Sequence, residues 1–409
     1  MRSAACILIV VCSAVAVFGG AAALDFSGDG GGGGGGEGMR TSAAVRVDPT
    51  WRFPSSRLRD AYVALQTWKR DAIFSDPQNL TADWVGPDVC NYTGVVCAPL
   101  PSDRRVLAVA GVDLNHGDIA GYLPPELGLL SDLALLHLNS NRFCGVVPST
   151  LRRLRLLHEL DLSNNRFVGA FPRVVLAMPS LRFLDLRFNE FEGAVPRELF
   201  DRPLDAIFLN HNRFRFEIPD NFGNSPASVM VLAHNSFGGC LPASLGNMSG
   251  TLNEIVLINS GLNSCLPTEI GLLREVTVFD VSFNRIVGSL PAAVAGMRKV
   301  EQLDVAHNLL AGEIPAAVCG LPRLRNFTFA YNFLSGGESP SCARVVPGGA
   351  GERRNCLTNR PDQRSPQQCA AFYARPPVNC DAFHCKPFLP ALPPPSPSAR
   401  DELSCAVNL

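Results

Sequence analysis

The chain has 409 residues, 46% of them hydrophobic, and a net charge of −1. That supplies material for a large core, and it excludes the broad basic field that nucleic acid or an anionic membrane would need. Any electrostatic function must therefore be local.

At the start, Arg2 precedes an apolar run over 6–18 and small residues ending in Ala21, Ala22 and Ala23. This is the order of a secretory signal peptide over 1–23, cleaved after Ala23. The apolar core is shorter than the roughly 20 residues of a membrane span, and no later segment spans a membrane. Removing Cys6 and Cys12 with the signal leaves twelve cysteines in an oxidising compartment, which favours disulfides over zinc sites. Secretion also gives meaning to four glycosylation sequons, at Asn79, Asn91, Asn247 and Asn326.

Residues 24–50 contain a glycine run over 30–36 and read as a flexible leader. Leu58, Tyr62, Leu65 and Trp68 then recur at helical spacing. The segment continues through Trp84 into a short extended piece pinned by Cys90 and Cys97, so 51–105 is read as a cap.

From about residue 106 the sequence repeats, as in LDLSNNRFVGAFP (160–172) and LDLRFNEFEGAVP (184–196). Counting seven back from each proline gives the anchors Gly117, Asn141, Asn165, Asn189, Asn212, Asn235, Ser260, Asn284 and Asn308. Asn332 follows with its proline one place later, and the spacing is 23 to 25 residues throughout. The period and the LxLxxNxFxGxxP grammar mark an α/β solenoid, a plant-type leucine-rich-repeat superhelix of about ten repeats over 106–342. Strand leucines such as Leu160 and Leu162 point into the core, and the anchor asparagine serves backbone groups the turn leaves buried. A C-terminal Cys-rich tail over 343–390 and a short Pro-rich end over 391–409 follow.

Position suggests how the cysteines pair. Cys240 and Cys265 each sit five places after their anchor, in one column of neighbouring coils, and are expected to bond. Local pairing gives Cys319–Cys342, Cys356–Cys369 and Cys380–Cys385 as well. Cys144 has no stacked partner; a half-buried free thiol, a bond to the tail and an intermolecular bond all remain open.

Residues alternating with the core leucines face the concave surface. Four places before the anchors stand Asp113, His137, Asp161, Asp185, Phe208, Val231, Val256, Asp280, Asp304 and Thr328, and Ile258 lies two before Ser260. Aspartates without lysine make this face locally acidic and favour a basic ligand. Phe208, Val231, Val256 and Ile258 form an apolar patch of the kind that marks a contact site, or that packs along its own sheet. One place before the anchors come Phe188, His211, His234, Phe283, His307 and Tyr331, residue types that anchor interfaces and, for histidine, respond to pH. No catalytic motif, metal-ligating set or cofactor loop accompanies them, and aspartates at the solenoid period are explained by the period. The chain is read as a non-enzyme.

The stretches CNYTGVVC (90–97), DLNHGDIAGYLPPELG (113–128), NSNRFCGVVP (139–148), DAIFLNHNRFRFEIP (205–219), GLNSCLP (261–267), RRNC (353–356) and RPPVNC (375–380) resemble the leucine-rich repeat extensins, plant cell-wall proteins. The resemblance runs from about 55 to 385. It implies a secreted, extracellular protein of the apoplast whose repeats bind a basic cysteine-containing peptide of the rapid alkalinisation factor type. It implies also a homodimer, association with wall polysaccharide, and a cysteine tail packed on the repeats. The extensin region of that family is reduced here to 393–398. The alternatives are an inhibitor of a secreted wall-degrading enzyme and a structural wall scaffold.

Overall fold

The computed structural model describes residues 45–336 and 351–380. Ser55 opens the first helix, Ser56–Thr67, by accepting a hydrogen bond from the Leu58 N–H at 3.3 Å. That satisfies one of the N–H groups a helix start leaves unpaired. Leu58, Tyr62 and Leu65 form its buried stripe, continued by Trp68 just past its end. Trp68 reaches to 5.6 Å from Phe143 and donates its indole N–H to the Tyr122 carbonyl at 3.0 Å, keying the cap into the first coils. Cys90 is bonded to Cys97. The strand Val95–Pro99 pairs antiparallel with Leu107–Asp113 and covers the edge of the repeat sheet.

From Leu107–Asp113 to Asn326–Thr328, ten strands, one per coil, lie parallel in one sheet. The register sets equivalent residues side by side, Leu136 against Leu160 and Leu160 against Leu184. All three are buried, and each such side chain contributes roughly 1.5–3 kcal/mol. After most of the prolines a 3₁₀ turn such as Ser149–Arg153 or Arg197–Asp201 crosses the far side.

The anchors bind neighbouring coils together. Asn165 donates through Nδ2 to the carbonyls of Leu138, Leu162 and Ser163 at 2.7, 3.1 and 3.0 Å, and its Oδ1 accepts the Phe143 N–H at 2.9 Å. Ser260 does only half of this, its hydroxyl donating to the Leu232 and Ile258 carbonyls at 3.4 and 3.3 Å. Opposite it, the N–H groups of Phe237 and Gly238 turn to the Ser260 backbone carbonyl at 2.8 and 3.3 Å. The strands of the turn side break at the same place: one run ends at Arg213–Phe214 and the next begins at Val287–Gly288.

The solenoid extends one rung past the repeats read from sequence. Asn355 donates to the carbonyls of Phe329, Glu352 and Arg353 and accepts the Leu334 N–H at 3.1 Å. Cys356–Leu357 pairs in parallel with Phe333–Gly336. RRNC is therefore an eleventh anchor without the leucine pattern. The tail helix, Pro366–Tyr373, packs beside it, with Phe372 stacked on Phe333 at 3.8 Å.

Two cysteine expectations are corrected. Cys265 is bonded to Cys380, so neither Cys240–Cys265 nor Cys380–Cys385 forms. The Asn263 N–H bonds the Gly239 carbonyl at 3.0 Å, so the two coils lie side by side at the cysteines, yet Cys265 turns to the tail. Gly288, at φ 79, instead leaves a notch in which the Cys380 sulfur sits where a Cβ would be. Cys144, for which a free thiol is the plainest reading of the sequence, is disulfide-bonded, as are Cys240 and Cys319. Cys356 is bonded to Cys369. Cys342, Cys385 and Cys405 lie outside the described residues.

Candidate binding face

The residue before each anchor has a left-handed backbone in all ten coils, with φ from 48 to 59. Asparagine adopts this readily, whereas a ring-bearing residue does so at a cost on the order of 1 kcal/mol. Phe188, His211, His234, Phe283, His307 and Tyr331 nevertheless adopt it, held by the anchor ladder. Their rings stand side by side: Phe188–His211 at 4.1 Å, His211–His234 at 4.2 Å, Phe283–His307 at 4.0 Å and His307–Tyr331 at 4.1 Å. Asn259, whose amide lies 3.3 Å from His234 Nδ1, separates the two three-ring ladders. Phe188 and Phe283 are 43% and 53% exposed, unusual for phenylalanine and available to a partner.

The aspartates form two like-charged pairs, since Asp161 lies beside Asp185 and Asp280 beside Asp304 on adjacent strands. Each closes its strand end by accepting the N–H two residues on, at 2.9 Å from Ser163, 3.0 Å from Arg187, 2.9 Å from Ser282 and 2.9 Å from Ala306. They therefore serve the local backbone as well as the face. Burial, reinforced by Asp161 and opposed by Arg187, pushes Asp185 up to about 7. Burial and Asp280 push Asp304 up to about 7, and burial raises Asp280 as well. Asp185 is fully buried and ion-paired with Arg187 at 3.0 Å, so Asp161, Asp280 and Asp304 are the members that reach solvent.

Between the pairs runs the apolar stretch. Val231, Val256 and Ile258 are half-buried, but Phe208 is only 5% exposed, beneath Arg187 at 5.2 Å and beside Phe183 at 5.6 Å. Phe208 is a support for this surface more than a part of it. Phe183 belongs to a column six places before the anchors, with Glu159, Val229, Glu254, Val278 and Asn326, which the sequence reading omitted although the same alternation predicts it. Desolvation lowers the pKa of His211, His234 and His307, with His234 adding to the effect on His211 and Arg353 to that on His307.

Of the sequon asparagines, Asn79, Asn91 and Asn247 are exposed, while Asn326 is half-buried on the strand face and accepts a hydrogen bond from Thr328. Among the described residues no group of His, Cys, Asp and Glu is placed to hold a metal, and no helix is long and apolar enough to cross a membrane.

The family described as Leucine rich repeat matches residues 131–191. Leucine-rich repeat extensin-like protein 7 of Arabidopsis thaliana is 64% identical over 351 residues, 86% of this chain and 80% of that protein. Protein 6 of the same series is 60% identical over 332 residues, covering 81% and 70%. Against protein 2, 54% identical, the chain spans only 44% of the relative's length. None of these names is that of an enzyme. Among solved structures, the Arabidopsis receptor kinase HAESA in complex with the peptide hormone IDA and a co-receptor superposes with a TM-score of 0.65 at 26% identity, over 73% of this chain and 50% of that one. A plant ice-binding protein shares the fold, with a TM-score of 0.62 at 22% identity over 76% and 97%. With its repeat period, its cap and its cysteine tail, the chain belongs to the leucine-rich repeat extensin-like family.

Proposed function

We propose that this protein works outside the cell, in the plant wall, and holds a basic disulfide-bonded peptide of the rapid alkalinisation factor type on its strand face, so regulating wall assembly and cell expansion. The observation that carries the reading is the pairing of solvent-reaching aspartates with exposed phenylalanines at the ends of two ring ladders, across an apolar stretch. Cationic side chains of a ligand would pair with Asp161 and with Asp280 and Asp304, drawing off the protons those two hold, and its apolar side chains would cover Phe188 and Phe283. HAESA, a fold neighbour, is solved with a peptide hormone, which supports a peptide as the class of partner.

Calorimetric titration of the secreted protein with a panel of oxidised rapid alkalinisation factor peptides tests this, alongside the Asp280→Asn/Asp304→Asn variant. The expected result is tight binding by at least one peptide, weakened roughly tenfold or more in the variant, since charge-assisted contacts are worth about 1.5–3 kcal/mol. No binding across the panel sinks the peptide reading. Binding that ignores the double variant moves the site off the aspartates.

A further inference from the structure

The arginines of the eleventh rung extend the face beyond the last repeat. Arg353 falls in the column that holds Ser282, Ala306 and Ala330 in the preceding coils. Arg354 falls in the left-handed column, at φ 58, in line with Phe283, His307 and Tyr331. Backbone pairing fixes the alignment: the Tyr331 and Phe329 N–H groups donate to the carbonyls of Arg353 and Gly351, each at 2.9 Å. One coil earlier, His307 and Val305 donate to Ala330 and Thr328 in the same way, at 2.8 and 2.9 Å.

Both arginine side chains are exposed, and neither has a carboxylate partner among the described residues. The Arg353 guanidinium stands 5.4 Å from the Tyr331 ring centre, at the end of the second ladder. Arg354 lies close enough to Arg364 to lower its pKa further, after burial. Arg364 is itself held at 4.0 Å over Phe333, with its Nε donating to the Asn332 carbonyl at 2.6 Å. Three guanidiniums thus gather where the nearby Glu352 is buried and already faces Arg360 at 3.7 Å. Positive charge with no ion-paired carboxylate among the described residues, at the end of a face whose remaining charges are mostly acidic, gives that face a direction.

We infer that Arg353 and Arg354 hold the C-terminal carboxylate of the peptide whose basic part lies over Asp280 and Asp304. The inference rests on the peptide reading of the face given above. An arginine fork suits a carboxylate through two parallel hydrogen bonds, better than the point charge of a lysine. The eleventh rung lies two coils past Asp304 and three past Asp280, roughly 10–14 Å at sheet spacing. Extended chain covers that in about three to four residues. The ligand therefore ends in a free carboxylate three or four residues after a lysine or arginine.

To test this, each panel peptide that binds is prepared as the free acid and as the C-terminal amide. Both forms are titrated into the full secreted chain and into its Arg353→Gln/Arg354→Asn variant, asparagine being chosen because it tolerates the left-handed backbone. Amidation is expected to weaken binding to the wild type about tenfold and to leave the variant's affinity unchanged, because a single interaction is lost either way. No loss in the wild type, or equal losses in both proteins, overturns the carboxylate assignment and leaves the peptide reading standing. A short oligouronide that binds the wild type and not the variant overturns it too, in favour of an acidic polysaccharide. If no panel peptide binds in any form, both readings fall together.

Discussion

At the scale of single residues, the left-handed column decides how this surface is built. Phe283 keeps a backbone that glycine would hold without strain, and it keeps a ring more than half exposed. Phe283→Gly exchanges about 1 kcal/mol of strain against a stacking contact with His307 of similar size. Its unfolding temperature is expected to stay within a few degrees of wild type, while peptide affinity falls about tenfold, as for an aromatic anchor. Melting curves and titrations on one preparation check this; a large fall in melting temperature would make the ring structural. The left-handed state itself was not legible in the sequence, because neither glycine nor asparagine marks it at Phe188, Phe283 or Tyr331. It follows from the anchor's hydrogen bonds, which the repeat pattern does encode.

At the scale of elements, the strand columns were legible because alternation and period fix them, so Asp161 and Asp280 stand on the expected face. The disulfide from Cys265 to Cys380 was not. Its partner lies 115 residues away, and a column argument sees only neighbouring coils. The eleventh rung was missed for a related reason: Ala350 and Glu352 stand where the pattern has leucines, and Asn355 alone carries the anchor. Cys380→Ser should release the strap, and a loop of that length is worth up to about 5 kcal/mol by chain entropy. Faster proteolysis after residue 357 and a lower urea midpoint are the expected readings; an unchanged midpoint would mean that the Cys356–Cys369 bond and the Phe333–Phe372 stack hold the tail without it. Gly288→Ala should act in the same direction, since its methyl collides with the Cys380 sulfur.

At the scale of the whole molecule, a net charge of −1 conceals a titrating surface. Asp185 and Asp304, pushed up to about 7, hold protons in the folded state that the unfolded chain gives up near pH 4. Their contribution to stability is therefore full below pH 4 and is lost as pH rises to about 7. The histidines act in the opposite sense, because their folded values are lowered and they favour the fold above about pH 6.5. The clean measurement is a difference: urea unfolding of wild type against Asp185→Asn/Asp304→Asn, at pH 4.5 and pH 7.5. Relative to the variant, the wild type is expected to lose stability across that interval, and a constant difference would show that the two carboxyls titrate normally.

The interruption at Ser260 bears on how the molecule comes apart. A solenoid is nearly one-dimensional, and its cooperativity is the product of couplings between successive coils. Where the turn-side strand runs stop, between Phe214 and Val287, single backbone bonds such as Asn263 N–H to the Gly239 carbonyl replace the paired ladder, and the anchor at 260 is a serine hydroxyl in place of an amide. Coupling is thinnest at this seam, which divides the coils into two blocks that denaturant is expected to separate first. The Cys265–Cys380 bond, which ties the seam to the far end, makes the second block unravel as a closed ring instead of a free strand.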